Sequence, residues 1–241
     1  MSKVALITGA ARRIGASIAH EFHTAGYRVI VHCNHSLDAA NEMAAGFNKI
    51  RNDSAVIITQ DLAQIGNAEK FFAACLQCFG RVDVLINNAS VFYPTPFDQM
   101  APDEFDQFIN TNLKAPLFLV RAGAKHLKGG AVINIVDIHG ETPLRDYLAY
   151  SVSKAGLLML TKALAIELAP DVRVNGISPG AILWPEQNAE MSADERNDLL
   201  EKIPMQTLGT PEDIARTALF LADSSAFITG QIVTVDGGKS I

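Results

Sequence analysis

The chain has 241 residues, 49% of them hydrophobic, enough for one large core, and a formal net charge of −6. That acidic balance offers no basic face to phosphodiester backbones or anionic lipid, and no apolar run reaches membrane-spanning length. Nucleic-acid and membrane partners are therefore set aside in favour of a small-molecule ligand.

Residues 1–7 pass straight into a strand pattern without the charged, apolar and small-residue sections of a signal peptide, which predicts a cytoplasmic protein. The first strand, Val4–Thr8, runs into a glycine-bearing turn and a helix over Arg13–Ala25 that Gly26 closes. Strand Arg28–His32 precedes helix Ser36–Arg51, and strand Ala55–Thr59 precedes helix Asn67–Phe79, closed by Gly80. Strand Val82–Asn87 leads to a long helix, Asp103–Leu127, and strand Ala131–Val136 to helix Tyr147–Leu168. Strand Arg173–Ile177 is followed by helices Ser192–Lys202 and Pro211–Ala222, the latter capped by Thr210, and strand Ile232–Val235 comes last. Several strands are apolar at consecutive positions, as strands buried on both faces of a parallel sheet must be. The fold class predicted is α/β: one Rossmann-type domain over 1–241, doubly wound, with about seven parallel strands and helices on both faces. Residues 182–203, with Trp184, Pro185 and a polar run, leave the ligand edge of the sheet after Pro179-Gly180 and are read as a substrate-covering flap.

The cysteines carry no metal or redox chemistry in this reading. Cys75 and Cys78 form a C-x-x-C, but inside an apolar helical stretch with no second ligand pair, so they are two small apolar residues on a helix. The pairs His20/His23 and His32/His35 lack downstream partners, and no metal is expected.

The first turn reads Thr8-Gly9-Ala10-Ala11-Arg12-Arg13-Ile14-Gly15. A dinucleotide's pyrophosphate needs close backbone approach and amides aimed at it, which small residues at a strand-to-helix turn supply. The second strand ends in His32-Cys33-Asn34-His35-Ser36, with no carboxylate to hold a ribose diol, and Arg12, Arg13, His35 and Ser36 can donate to a ribose phosphate. That favours NADPH; the competing possibility is that Asp38 takes the ribose.

In Tyr150-Ser151-Val152-Ser153-Lys154, a spacing of four places phenol and ammonium on one helical face. A neighbouring cation favours the phenolate and so prepares a tyrosine for acid–base work near neutral pH.

With the glycine turn, Asn87-Asn88-Ala89, Asn112, Pro179-Gly180 and the ending Asp236-Gly237-Gly238, the chain resembles the short-chain dehydrogenase/reductase family over nearly its whole length. The resemblance implies Asn112 as a water-positioning residue, Tyr150 as proton donor and Lys154 as binder of the nicotinamide ribose. It also implies a cofactor lying over Gly9–Gly15, with adenine near Asp61 and Leu62, and contacts from His32, Asn88, Ala89, Ser90, Pro179 and Gly180. Two departures from the family pattern are informative. Asp137 stands where a serine is expected thirteen residues before the tyrosine, and Arg13 replaces the middle glycine of the turn. A carboxyl can carry a proton where a hydroxyl only polarises a carbonyl. Both departures, with Ser90 and Phe92, resemble the pteridine reductase branch, in which the aromatic residue stacks on a pterin. The implied reaction is NADPH-dependent reduction of a pterin or folate by a cytoplasmic homotetramer, with Arg13, Ser90, Phe92, Asp137 and Tyr150 around the substrate. His35 departs from the arginine that some members of the branch carry. A 3-oxoacyl thioester or sugar reductase, and a non-catalytic NADP-binding regulator, stand as alternatives.

Overall fold

The computed structural model describes residues 2–183 and 192–241. Seven strands form one sheet: β1 (Val4–Ile7), β2 (Arg28–Cys33), β3 (Ala55–Thr59), β4 (Val84–Asn87), β5 (Ala131–Ile135), β6 (Arg173–Pro179) and β7 (Ile232–Val235). Their order is β3-β2-β1-β4-β5-β6-β7 and every pairing is parallel. The strand order reverses between β1 and β4, which opens a crevice at their carboxyl ends. This is the doubly wound, Rossmann-type arrangement expected. β1, β4 and β5 are buried at every position, as strands dominated by Val, Leu, Ile and Ala and covered on both faces should be, and they bury Asn87 and Asn134 as well.

The helices are α1 (Arg13–Thr24), α2 (Leu37–Ile50), α3 (Ala68–Phe79), α4 (Pro102–Ile109), α5 (Ala115–Gly123), α6 (Leu148–Leu168), α7 (Ala193–Glu201) and α8 (Pro211–Leu219). One core lies under α1, α2 and α8, around Ile18, Phe22, Phe47 and Ile214. The other lies under α3, α5 and α6, around Phe71, Phe72, Leu119 and Leu164. Each such fully buried side chain contributes on the order of 1.5–3 kcal/mol. Helix ends follow the punctuation in the sequence. Gly80 ends α3 at φ +76, and Thr210 caps α8 by accepting from the Asp213 amide while Pro211 opens the helix.

The long helix expected over Asp103–Leu127 is not one α-helix. It is α4 and α5 joined by a π-helical turn at Asn110–Lys114, and α5 ends at Gly123. The wider turn puts Thr111 and Asn112 on the buried side. Of the region read as a flap, residues 182, 183 and 192–203 are described, whereas Trp184 and the rest of 184–191 lie outside the described residues. No described helix is long and apolar enough to cross a membrane.

Candidate active site

A cleft of about 780 Å³ opens at the carboxyl ends of the strands, and the site residues that the family resemblance implies all line it except Asn112. At one end lies the turn after β1. Gly9 has φ +63, and a Cβ there would stand 2.9 Å from Ala89 Cα; a Cβ on Gly15 would stand 2.2 Å from the Gly9 oxygen and 2.6 Å from Asn88 Nδ2. Neither position tolerates a side chain without movement, so the turn lies hard against the loop after β4. Thr8 and Asn88 lock that contact. Thr8 Oγ1 accepts from the amides of Asn88 and Ala89 (3.0 Å each), and Asn88 Nδ2 donates to the carbonyls of Thr8 (2.9 Å) and Gly9 (3.0 Å). Arg13, where the family pattern has glycine, keeps φ +51, so its backbone is the left-handed one that glycine adopts freely.

This end fits a dinucleotide. The first amides of α1 have no intrahelical acceptor and carry the positive end of the helix dipole. Arg12, Arg13, His35 and Ser36 line the cleft beside them, whereas Asp38 is not among the described residues that do. His32 lines the same end but is 1% exposed, with one ring nitrogen on the Gly9 amide and the other on the Gln60 carbonyl.

At the other end Tyr150 Oη donates to Asp137 Oδ2 at 2.7 Å, and Lys154 Nζ donates to the Ile135 carbonyl at 2.9 Å. The ammonium lies 5.6 Å from the centre of the Tyr150 ring. One turn of α6 brings phenol and ammonium together, and the loop after β5 delivers the carboxylate, whose other oxygen accepts from the His139 amide at 2.8 Å. Burial is the main force on both bases here. It pushes the Tyr150 phenol well above its usual value, with the Asp137 charge and hydrogen bond adding to the rise. It lowers Lys154 to about 8, with attraction from Asp137 working against the fall. The sequence expectation of a phenol made more acidic is thus reversed in this state, because burial, with the Asp137 charge and hydrogen bond, raises it. Tyr150 therefore holds its proton in a hydrogen bond to the Asp137 carboxylate, beside an ammonium that burial brings down to about 8.

Phe92 is 55% exposed at the mouth, stacked on Tyr147 (centroids 4.6 Å apart, planes at 21°) and edge-on to Tyr150 (4.7 Å, 74°). Asn112 stands behind this group rather than in it. Its Oδ1 accepts from the Val91 amide (2.9 Å), while Nδ2 donates to the Val91 carbonyl (3.1 Å) and to Ser153 Oγ (3.0 Å). It therefore clamps the loop that carries Phe92. Sequence reasoning missed Ser153 in that clamp, and missed Gln107, His139, Leu199 and Lys239 in the lining. Ser153 lies inside the Tyr150–Lys154 segment and one turn from Tyr150, a signal that could have found it; Lys239 and Leu199 carry no such mark.

A family model described as enoyl-(acyl carrier protein) reductase matches residues 9–240. Pteridine reductase 1 of Leishmania tarentolae is 33% identical, over 99% of this chain and 96% of its own length. A 3-oxoacyl-[acyl-carrier-protein] reductase of Staphylococcus epidermidis is 35% identical over 99% of both chains. L-rhamnose 1-dehydrogenase (NAD(P)(+)) of Azotobacter vinelandii is 33% identical over 99% of this chain and 96% of its own length.

Proposed function

Because the chain belongs to the short-chain dehydrogenase/reductase family of oxidoreductases, we propose that it reduces a dihydropterin, or the pterin ring of a dihydrofolate, with NADPH. The observation that carries this reading is the 2.7 Å bond between Tyr150 and Asp137, a proton-bearing pair where a carbonyl reductase needs only a polarising hydroxyl. A C=N bond whose nitrogen gathers negative charge must receive a proton, and a tyrosine backed by a carboxyl can deliver one and be resupplied.

The cofactor, when bound, supplies the hydride. Gly9 and Gly15 allow its pyrophosphate to approach the backbone, and Arg12, Arg13, His35 and Ser36 suit a ribose 2′-phosphate, which is why NADPH is favoured over NADH. Phe92 offers a flat face at the mouth for an aromatic ring, and Ser90 and Arg13 line the same cleft. Tyr150 donates its proton at N5 of the dihydropterin's C6=N5 bond. Lys154, charged, stabilises the phenolate that remains. Asp137 holds the phenol in line beforehand, and for a fully oxidised pterin it takes up a proton from solvent and passes it to the nitrogen of the second C=N bond.

A second reading, reduction of a 3-oxoacyl thioester, is favoured by the description of the matching family model and by the 35% identical relative. NADPH oxidation measured against dihydrobiopterin, dihydromonapterin, dihydrofolate and an acetoacetyl thioester separates the two. Turnover of the pterins is expected; turnover of the thioester alone overturns the proposal. For assembly, Leu148, Val152, Met159 and Ile166 form an exposed apolar row along one face of α6, which supports burial against another copy in a homotetramer. A monomeric mass by light scattering would reject that assembly.

A further inference from the structure

His32 has a task at the nucleotide end that the reaction proposed above does not use. Its Nδ1 is 3.1 Å from the Gly9 amide nitrogen and accepts that N–H, while Nε2 is 2.9 Å from the Gln60 carbonyl, to which only an N–H can donate. The two partners fix the ring as a neutral imidazole with its proton on Nε2. The carbonyl of His32 also accepts from the Ala10 amide at 2.9 Å. One residue therefore holds two consecutive amides of the phosphate turn, the first with its side chain and the second with its main chain. The first of them belongs to Gly9, where φ +63 and the crowding by Ala89 leave the backbone little room.

We propose that His32 is the positioning residue of the dinucleotide turn, and that its acceptor nitrogen makes cofactor affinity fall when the ring gains a proton. The inference rests on the dinucleotide site and not on which substrate is reduced. A proton on Nδ1 would face the Gly9 N–H, donor against donor, in a place water does not reach. Strand β2 is bonded to β1 on one side and β3 on the other, so the turn yields before the strand does. Around the ring stand the Phe71 edge from α3, 5.6 Å between centroids, the Gln60 carbonyl at the end of β3, and the Gly9 amide. The charged groups nearest the turn are Asp61, whose carboxylate accepts from the Ala63 amide at 2.9 Å, and Arg12, Arg13 and His35 along the cleft. Helix α3 also carries Glu69, paired with Arg121, exposed Lys70, and the thiols Cys75 and Cys78; β2 carries Arg28, paired with Asp53, and the buried thiol Cys33. Burial lowers the pKa of His32 below the usual 6.5, against an opposing contribution from the Gln60 bond. The turn is thus set at neutral pH and loosens only on acidification beyond the ordinary histidine range.

Three measurements test this. In the cofactor-free protein, ¹⁵N resonances of His32 at neutral pH should show a bare Nδ1 and a protonated Nε2. Binding of NADPH and of NADH, followed by fluorescence across pH, should show an acid-side loss common to both ligands; the comparison removes the ribose phosphate and His35 from the readout. His32→Asn supplies an amide oxygen near the Nδ1 position and cannot titrate, so it should keep affinity at neutral pH within about threefold and lose the acid-side step. His32→Phe removes the acceptor and should weaken both ligands about tenfold or more. A proton found on Nδ1, an acid step that survives in His32→Asn, or wild-type affinity in folded His32→Phe would each overturn the proposal. If His32→Phe does not fold, the tautomer and His32→Asn decide alone.

Discussion

The two ends of the cleft are built from different materials. The nucleotide end is held by neutral hydrogen bonds and by the absence of side chains: Thr8, Asn88 and His32 fix a turn in which a single Cβ on Gly15 would meet the Gly9 oxygen at 2.2 Å. The catalytic end is held by three ionisable groups, Asp137, Tyr150 and Lys154, and two of them are moved far from their ordinary pKa values. Shape governs the first and charge the second. Damage to the nucleotide end should therefore appear as lost cofactor affinity, and damage to the catalytic end as lost rate and altered pH dependence.

The sharpest test of that division is Tyr150→Phe, which leaves the ring and its packing against Phe92 but removes the proton. The kcat of reduction should fall by on the order of 10³ or more while NADPH affinity, read by fluorescence titration, stays within about twofold. A variant that keeps more than about a tenth of the wild-type kcat would place the proton donor elsewhere. Asp137→Asn comes next, with a loss of about 10²–10⁴. Its pH profile carries the sign. Lys154, at about 8, is charged below that pH and neutral above it, and proton delivery needs a protonated Tyr150 beside a charged Lys154. In the wild type kcat/KM should consequently decline as pH rises through about 8. The Asp137 carboxylate is what holds Lys154 up, so its removal should shift that decline to lower pH. A profile unchanged from wild type would detach Asp137 from the proton chemistry.

The same division explains what the sequence disclosed. The sheet was legible because unbroken runs such as Val4-Ala5-Leu6-Ile7 have few other uses, and the helix ends at Gly80 and Thr210 because capping is local chemistry. Tyr150 and Lys154 were legible for the same reason, one helical turn apart. The π turn at Asn110–Lys114 was not, since one extra residue in a helical register leaves no compositional mark. Nor was the clamp made by Asn112, which reaches back 21 residues to Val91 and forward 41 to Ser153. The direction of the Tyr150 shift was misread from sequence because burial is a property of the packed chain: spacing reveals the ammonium but not the water that is missing around the phenol.

At the nucleotide end the largest effect should come from Gly15→Ala. Its methyl group would press on the Gly9 carbonyl and on the Asn88 amide that bonds the same carbonyl, so the turn and the β4 loop must separate. NADPH affinity should fall about tenfold or more, with kcat at saturating cofactor changed by less than about threefold. A lower kcat at unchanged affinity would mean that the two ends are not separable.

The smallest expected effect, and the finest test, is Arg13→Gly. A non-glycine residue at φ +51 costs roughly 1–2 kcal/mol, and glycine removes that cost while adding roughly 0.5–1 kcal/mol of unfolded-chain entropy. The backbone balance favours the variant by up to about 1.5 kcal/mol, set against the interaction that the Arg13 side chain itself makes, so its Tm should stay close to that of the wild type. The side chain nevertheless lines the cleft. The KM for NADPH or for the pterin should therefore rise about threefold to tenfold even as stability holds. A raised KM at an unchanged Tm is what a residue kept for binding produces, whereas a residue kept for the fold would lose Tm together with affinity.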